Sequence, residues 1–254
     1  MTDLVTTLRQ EKYKVLLIGD TCIDNYIYGT VDRVSPEAPI PVLKMTGKQD
    51  FREGMSGNVL KNLESLQCEV KHIKGNQSVK TRYIDVKSGY QLLRVDGEAE
   101  QTPLEIVNVN ESYDAIVVSD YDKGFVTYDL IEKIRQSYAG PIFIDTKKQD
   151  LGRFEGCYVK INESERSNAT SLPSDCIVTM SSEGTFWKDK VYPTDKVEVH
   201  DVTGAGDVHL AALTVFYLLT GSIEAAIPYA NKLASISVQH HGVYTVTEED
   251  INSL

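Results

Sequence analysis

The sequence predicts an α/β sandwich: one mostly parallel sheet covered by helices on both faces, with a small separate β-sheet as a lid. Three observations predict it. From residue 114 onward, short apolar runs alternate with helical stretches, the pattern of parallel strands joined by crossover helices. The earlier segments near 24–48 and 78–97 have another texture, with β-branched and aromatic residues broken by Pro and Gly, which suits hairpins better than buried central strands. The chain has 254 residues, enough for one sizeable core with a small accessory sheet. It shows no internal repeat, low-complexity tract or linker, so residues 1–254 read as one domain.

Taken in order, Lys14–Ile18 is an apolar run closed by Gly19-Asp20, hence a buried strand and a turn. Asp24–Tyr28 and Pro39–Met45 read as extended, and Pro36, Pro39 and Pro41 suit an edge strand or a flap. Gly54–Leu66 reads as a helix with Val59, Leu60, Leu63 and Leu66 on one face. Lys80–Val86 and Tyr90–Val95 flank Lys87-Ser88-Gly89 as the arms of a hairpin. Strands follow at Asp114–Ser119, Pro141–Asp145, Cys157–Ile161 and Cys176–Met180, with Trp187–Val191 in a further hairpin. Helices are expected at Thr127–Tyr138, at Ala205–Leu219 and, starting near Ser222, at Ile223–Gln239.

Composition narrows the function. A net charge of −11 argues against nucleic acid as a partner, and a phosphorylated small molecule would need a local cluster of Lys and Arg. No apolar run is long enough to span a bilayer, and Met1–Glu11 lacks the apolar core of a signal peptide. Cys22, Cys68, Cys157 and Cys176 are scattered and read as free thiols of a reducing compartment. A cytoplasmic protein with neither a membrane nor a nucleic-acid partner is expected.

The chemistry concentrates in Asp201-Val-Thr-Gly-Ala-Gly-Asp207, directly before the long apolar helix at Ala205–Leu219. Small residues there let consecutive N–H groups point at one spot at the positive end of a helix, which binds phosphate. The loop ends in a carboxylate rather than Lys-Ser or Lys-Thr, so it is no Walker loop. A carboxylate repels phosphate but can take the proton of a hydroxyl that attacks it. The plain alternative is a tight strand-to-helix turn.

That string closely resembles the C-terminal signature of the ribokinase-like (PfkB) carbohydrate kinases, and the likeness runs over nearly the whole chain. "VLLIGDTCID" at Val15–Asp24 looks like the family's first strand with its sugar-binding aspartate. "RVSPEAPIPVLK" at Arg33–Lys44 is similar to the branch acting on D-glycero-D-manno-heptose 7-phosphate, as are "KTRYI" and "QLLRVD" within Lys80–Asp96, "SDYDKG" at Ser119–Gly124 and "IDTKKQDLGRFEG" at Ile144–Gly156. The resemblance implies a ribokinase-like three-layer α/β/α sandwich, ATP and Mg²⁺ as cofactors, a sugar phosphate as substrate, a homodimer paired through the lid, and K⁺ as a further cation. It implies Asp207 as general base, with Gly204, Ala205 and Gly206 stabilising the transferring phosphoryl group. Asn162 and Glu165 would hold Mg²⁺ through water. Thr179, Ser181, Gly184 and Asn231 would line the nucleotide site. Asp24, Gly54 and Asn58 would contact the sugar, and Asp201 and Thr203 a monovalent cation. A phosphorylated sugar needs cations of its own; Lys80, Arg82, Arg94, Lys123, Lys147 and Lys160 are the candidates, Arg82 and Lys123 the ones expected to bind it, and a solvated surface face the plain alternative.

Three departures from the family pattern stand out. Met55 replaces the second glycine before the substrate-contacting Asn, which could crowd or reshape the pocket. Ile161 replaces the usual Pro before Asn162, and Lys160 precedes it as either an adapted charge or a surface lysine. The stretch between Val70 and Lys80 is far shorter than in relatives, so the sheet is expected to lose peripheral elements, with Lys71, His72 and Lys74 supplying charge to the exposed edge. His240-His241 is expected at the rim of the adenine pocket and not at a metal. Two other readings stay open: a kinase of the same fold for another sugar or a nucleoside, and a non-catalytic sugar- or nucleotide-binding regulator.

Overall fold

The computed structural model describes residues 4–105, 109 and 112–254. Along the chain run α1 (Leu4–Gln10), β1 (Lys14–Gly19), β2 (Thr21–Val34), β3 (Pro41–Met55), α2 (Ser56–Ser65), β4 (Glu69–Lys74), β5 (Ser78–Asp85), β6 (Gln91–Gly97) and β7 (Ala115–Asp120). There follow α3 (Tyr128–Ser137), β8 (Ile142–Thr146), β9 (Tyr158–Asn162), α4 (Glu163–Asn168), β10 (Cys176–Thr179), β11 (Thr185–Trp187), β12 (Lys190–Tyr192), α5 (Ala205–Thr220), α6 (Ile223–Ser237) and α7 (Glu248–Asn252).

The main sheet has the order β12-β11-β10-β9-β8-β7-β1-β4. Its strands from β10 to β4 are parallel, and β11 and β12 add an antiparallel margin. Alternation along each strand divides the apolar residues between two cores. Val15, Leu17 and Val117 pack with α5 and α6 on one face, whereas Leu16, Ile18 and Val118 pack with Leu130, Ile131 and Ile134 of α3 on the other. Helix α5 is buried without interruption from Asp207 to Phe216, because it lies between sheet and helices rather than at a surface. The expected three-layer sandwich is therefore observed. Among the described residues no helix is long and apolar enough to cross a membrane.

The lid is a second sheet of order β3-β2-β5-β6. Its strands are longer than the sequence suggested, since β2 starts at Thr21 and β3 runs on to Met55. Pro36 and Pro39 lie in the turn before β3, Pro41 begins it, and β3 is an edge strand, where a missing N–H does no harm. The expected Gly54–Leu66 helix starts only at Ser56, because Gly54 and Met55 still pair with Cys22 and Thr21. Met55 there has φ 56° and ψ −132°, a region that glycine alone adopts without strain.

The shortened segment keeps two strands, β4 at the sheet edge and β5 in the lid, joined by three residues without regular structure. His72 does not supply edge charge. Its Nε2 lies 3.0 Å from Ser56 Oγ, and burial lowers its pKa to about 4, leaving it neutral. Helices α1 and α7 carry no strong sequence signal; α7 is short and is held by a capping box between Thr247 and Asp250.

Candidate active site

Parallel strands bring their C-terminal ends to one edge, where open α/β sheets form their ligand crevices. Asp20, Asp120, Asp145, Asn162 and Thr179 sit at the ends of β1, β7, β8, β9 and β10, and the N-terminus of α5 arrives over the same edge. Two cavities meet there. One of about 400 Å³ is lined by Thr179, Ser181, Gly184, Ala205, Gly206 and Asn231, among others. The other, of about 200 Å³, is lined by Tyr121, Asp145, Lys147, Lys160, Gly204 and Asp207, among others. Thr179 and Gly206 border both.

Helix α5 begins without a side-chain cap, behind Gly204 at φ 79°. The first N–H groups of a helix lack the usual partner one turn back; here Ala205 donates to the Val202 carbonyl (3.3 Å) and Asp207 to that of Gly204 (3.0 Å), so the amide of Gly206, which borders both cavities, is the first-turn donor offered to an anion. A Cβ on Gly204 would stand 2.6 Å from Asn58 Nδ2, and one on Gly206 would stand 2.8 Å from Lys160 Nζ. The small residues are thus required by close approach from two directions. Asp207 is 4% exposed. Its Oδ2 accepts from Asn58 Nδ2 (3.0 Å) and its Oδ1 from the Tyr121 hydroxyl (3.3 Å). Burial pushes its pKa up to about 6, Asp145 adds to the rise, and the Asn58 and Tyr121 hydrogen bonds and Lys160 oppose it.

Lys160 is not a surface lysine. It is 4% exposed and its Nζ donates to Asp145 Oδ2 at 2.6 Å, which puts an ammonium beside Gly206. Asn162 and Glu165 form the capping box of α4: Asn162 Oδ1 accepts from the Glu165 amide (2.9 Å) and Glu165 Oε2 from the Asn162 amide (2.8 Å). Glu165 Oε1 also accepts from Lys147. Asp145 on the smaller cavity and Glu165 are therefore each paired with a lysine, as is Asp195 on the larger cavity, which pairs with Lys232. No cluster of three acidic, His or Cys ligands exists among the described residues. These oxygens suit Mg²⁺ that keeps most of its waters and its phosphate ligands, and do not form an all-protein cage.

On the larger cavity, Asn231 is buried and saturated. Its amide donates to the carbonyls of Tyr192 (2.9 Å) and Pro193 (3.2 Å), and its oxygen accepts from Thr185 (2.6 Å). Thr185 has then spent its proton and accepts from His209 Nε2 (3.1 Å). His209 is a wall residue that the sequence reading missed; burial, then Lys160, lowers its pKa to about 3, so it is neutral. Thr179 and the Ser181–Gly184 turn also border this cavity, with Ser181 at φ 47° and Gly184 at φ 100°.

The lid brings Asp24 in from the other side. It is 3% exposed and ion-paired with Arg82, while Gly54 packs against its carboxylate. Arg52 and Arg82 lie over Tyr26, with guanidinium carbons 5.1 and 5.3 Å from the ring centre. Lys123 pairs with Glu98 in an exposed bridge, and Lys80 and Lys147 are the lysines against Tyr121. Asp201 accepts the amides of Thr203 (2.9 Å) and Gly242 (2.8 Å). Burial works against its charge, but those bonds win and lower its pKa. Both of its oxygens thus already hold the chain together. His240 stacks on Tyr244, the His241 ring lies 5.6 Å from that of His200, and the His241 carbonyl accepts from Arg52 (2.8 Å); neither histidine lines the larger cavity, whereas Val199, next to His200, does.

A family model described as pfkB family carbohydrate kinase matches residues 159–250. The bifunctional protein HldE of a Nitratiruptor species is 30% identical in an alignment covering 94% of this chain and 64% of that protein. The same-named protein of Campylobacter jejuni subsp. doylei is 31% identical, covering 97% and 65%. The chain thus spans just under two thirds of the length of these curated relatives. Among solved structures, phosphofructokinase-2 from Escherichia coli in complex with potassium superposes with a TM-score of 0.70 at 14% identity, covering 95% of this chain and 97% of that one. Arabidopsis thaliana ribokinase complexed with ribose and ATP gives 0.68 at 12%, covering 96% and 98%. The sandwich with its β lid is the ribokinase fold.

Proposed function

We propose that this chain is a ribokinase-like (PfkB) carbohydrate kinase that transfers the γ-phosphoryl group of ATP to O1 of D-glycero-D-manno-heptose 7-phosphate, giving the 1,7-bisphosphate. The carrying observation is Asp207. It is a buried carboxylate with a pKa of about 6, at the helix end where the glycine loop opens both cavities. A base with that pKa is ionised at neutral pH yet holds a proton firmly enough to draw one from a hydroxyl.

In this reading the nucleotide lies in the larger cavity with its phosphates over Ala205 and Gly206. The sugar lies under the lid against Asp24 and Asn58. The acceptor oxygen forms its bond to the γ-phosphorus while the bond to the β,γ-bridging oxygen breaks, leaving its electron pair on ADP, and the acceptor's proton passes to Asp207. Amides of the loop and the ammonium of Lys160 face the charge that spreads over the phosphoryl oxygens. Mg²⁺, held through water by Asn162 and Glu165, would neutralise the nucleotide's phosphates. Lys147 must then leave Glu165 or share it. Arg82, Lys80 and Lys147 are the cations that can meet the sugar's own phosphate, with Lys123 further out. The heptose assignment rests on the lid strings at Arg33–Lys44 and Lys80–Asp96, and the protein would act in the cytoplasm.

A second copy is the proposed partner. The lid leaves Met45, Phe51, Tyr90, Leu93 and Val95 about half exposed or more, a concentration of apolar surface on one small sheet. A dimer mass by light scattering, lost in Leu93→Asp, is expected; a monomer at all concentrations would remove this partner.

The testing experiment is Mg²⁺-dependent ATP consumption against sugar 7-phosphates, free sugars and nucleosides. Turnover on heptose 7-phosphate, falling by about 10²–10⁴ in Asp207→Asn, is expected. Turnover confined to another substrate keeps the mechanism and discards the heptose. A folded, nucleotide-binding protein with no turnover is a regulator.

A further inference from the structure

Tyr121 follows β7 directly and is fixed from several sides. Its amide donates to Asp20 Oδ2 at 2.6 Å, and the next amide, of Asp122, donates to Asp120 Oδ1 at 2.9 Å. Its ring lies beneath two lysine ammoniums, Lys80 of the lid strand β5 at 5.7 Å from the ring centre and Lys147 beyond β8 at 5.4 Å. Its hydroxyl ends on Asp207 Oδ1 at 3.3 Å. One side chain therefore touches the lid, the end of β8 and the base.

We propose that Tyr121 is a positioning residue: its hydroxyl aims Asp207 Oδ1 at the acceptor hydroxyl, and its ring, gripped by Lys80, ties that aim to the position of the lid. This inference rests on the kinase reading and names a device within the same site.

The two oxygens of Asp207 differ. Oδ2 takes the shorter bond, from Asn58 on α2 at 3.0 Å, whereas Oδ1 takes only the longer bond from Tyr121. Oδ1 thus keeps more acceptor capacity and is the oxygen that takes the proton. Tyr121 cannot be the base itself, since burial first and the Asp207 and Asp145 carboxylates next hold its hydroxyl protonated. The groups bearing on Asp207 are Asn58 from α2, Tyr121 after β7, Asp145 from β8 and Lys160 from β9. Deleting the Tyr121 hydroxyl removes one of the influences that favour the ionised form.

Tyr121→Phe keeps the ring and both lysine contacts and deletes only the hydroxyl. Its first readout needs no substrate: the Asp207 carboxyl is titrated by ¹³C NMR, its signal identified by its loss in Asp207→Asn. The midpoint is expected to rise by about half to one pH unit, with melting temperature unchanged. Its second readout is kinetic: kcat with heptose 7-phosphate falls about tenfold, KM for sugar and ATP stays within about twofold, and the acid limb moves up with the midpoint. Lys80→Met should lower kcat too, and the double variant should be no slower than the slower single one, because the two act through one side chain. An unmoved midpoint with normal kcat in Tyr121→Phe overturns the proposal and leaves the kinase reading intact. A raised midpoint in a protein that phosphorylates nothing upholds the hold on Asp207 and sinks the kinase reading instead. Lys80→Met that raises only KM, additively with Tyr121→Phe, overturns the link to the lid.

Discussion

The sandwich and the lid each carry a buried carboxylate that the proposed site uses, and they hold it by different means. Asp207, on the sandwich, contacts two neutral donors, Asn58 and Tyr121. Asp24, on the lid, contacts the guanidinium of Arg82. A cation in contact with Asp207 would weaken it as a base, whereas neutral donors orient it at smaller cost to its proton affinity. The group proposed to take a proton is therefore fixed by the rigid layer without direct ion pairing. The group proposed to bind sugar hydroxyls needs no such poise, and its cation can be exchanged for substrate.

The largest expected effect tests whether that difference extends to stability. Among the described residues the lid has the buried ion pair Arg82–Asp24, with side chains 11% and 4% exposed, and the sandwich has Lys160–Asp145, with 5% and 12%, and Lys148–Asp120, with 7% and 1%. Removing one partner of a buried pair leaves an uncompensated charge and costs about 3–5 kcal/mol. Lys160→Met should lose that amount in urea unfolding, because Asp145 lies under the phosphate loop in the three-layer core. Arg82→Met should lose no more than about half as much, because the lid is one sheet thick and Asp24, covered by Arg82 in the native protein, gains contact with water once the guanidinium is gone. Equal losses would erase the distinction between the two regions.

The next effect is a pH dependence of stability set by Asp207. Its pKa is raised from an ordinary 3.8 to about 6, so the folded protein binds this proton more tightly than the unfolded chain. The associated stability is fully present below pH 3.8 and is lost as pH rises to about 6. Asp207→Asn should therefore be more stable than wild type by about 2–3 kcal/mol above pH 7, with the advantage gone near pH 4. Denaturant midpoints across that range check it; a variant less stable at high pH would mean that the ionised carboxylate supports the fold.

These two tests also mark what was legible in the sequence. The layers were legible because burial repeats with the period of each element: Leu16 and Leu17 fall on opposite faces of β1 by position alone. Asp207 and its glycines were legible because a phosphate-binding helix end is a local pattern. The rest of the site is not local. Tyr121 meets Asp207 from 86 positions away and Asn58 from 149, and neither neighbourhood carries a mark of that contact. Lys160 reads from sequence as either an adapted charge or a surface lysine, since a lysine inside an apolar strand looks the same in both cases until Asp145 is placed beside it. Asn162 and Glu165 show the opposite limit. Their spacing matches a metal-binding motif and a helix capping box equally well, and the structure uses it at least as the second.

The smallest effect concerns the joint between the two regions. Met55 ends β3 of the lid and begins the turn into α2, which carries Asn58 to Asp207. Its φ of 56° with ψ of −132° suits the glycine that the family places there, and a side chain at such a position stores about 1–3 kcal/mol of strain. Met55→Gly alone would be ambiguous, because the methionine side chain is buried and its packing would be lost too. Comparing Met55→Gly with Met55→Ala removes that ambiguity: both lose the side chain and only alanine keeps the Cβ. The glycine variant should be the more stable by about 1 kcal/mol, or about 2–4 °C in Tm, the reverse of the usual order. If alanine equals or exceeds glycine, the backbone at the joint is not the strained element. The methionine would then be a packing residue that sets the angle of the lid, and its effect should be sought in KM for the sugar instead.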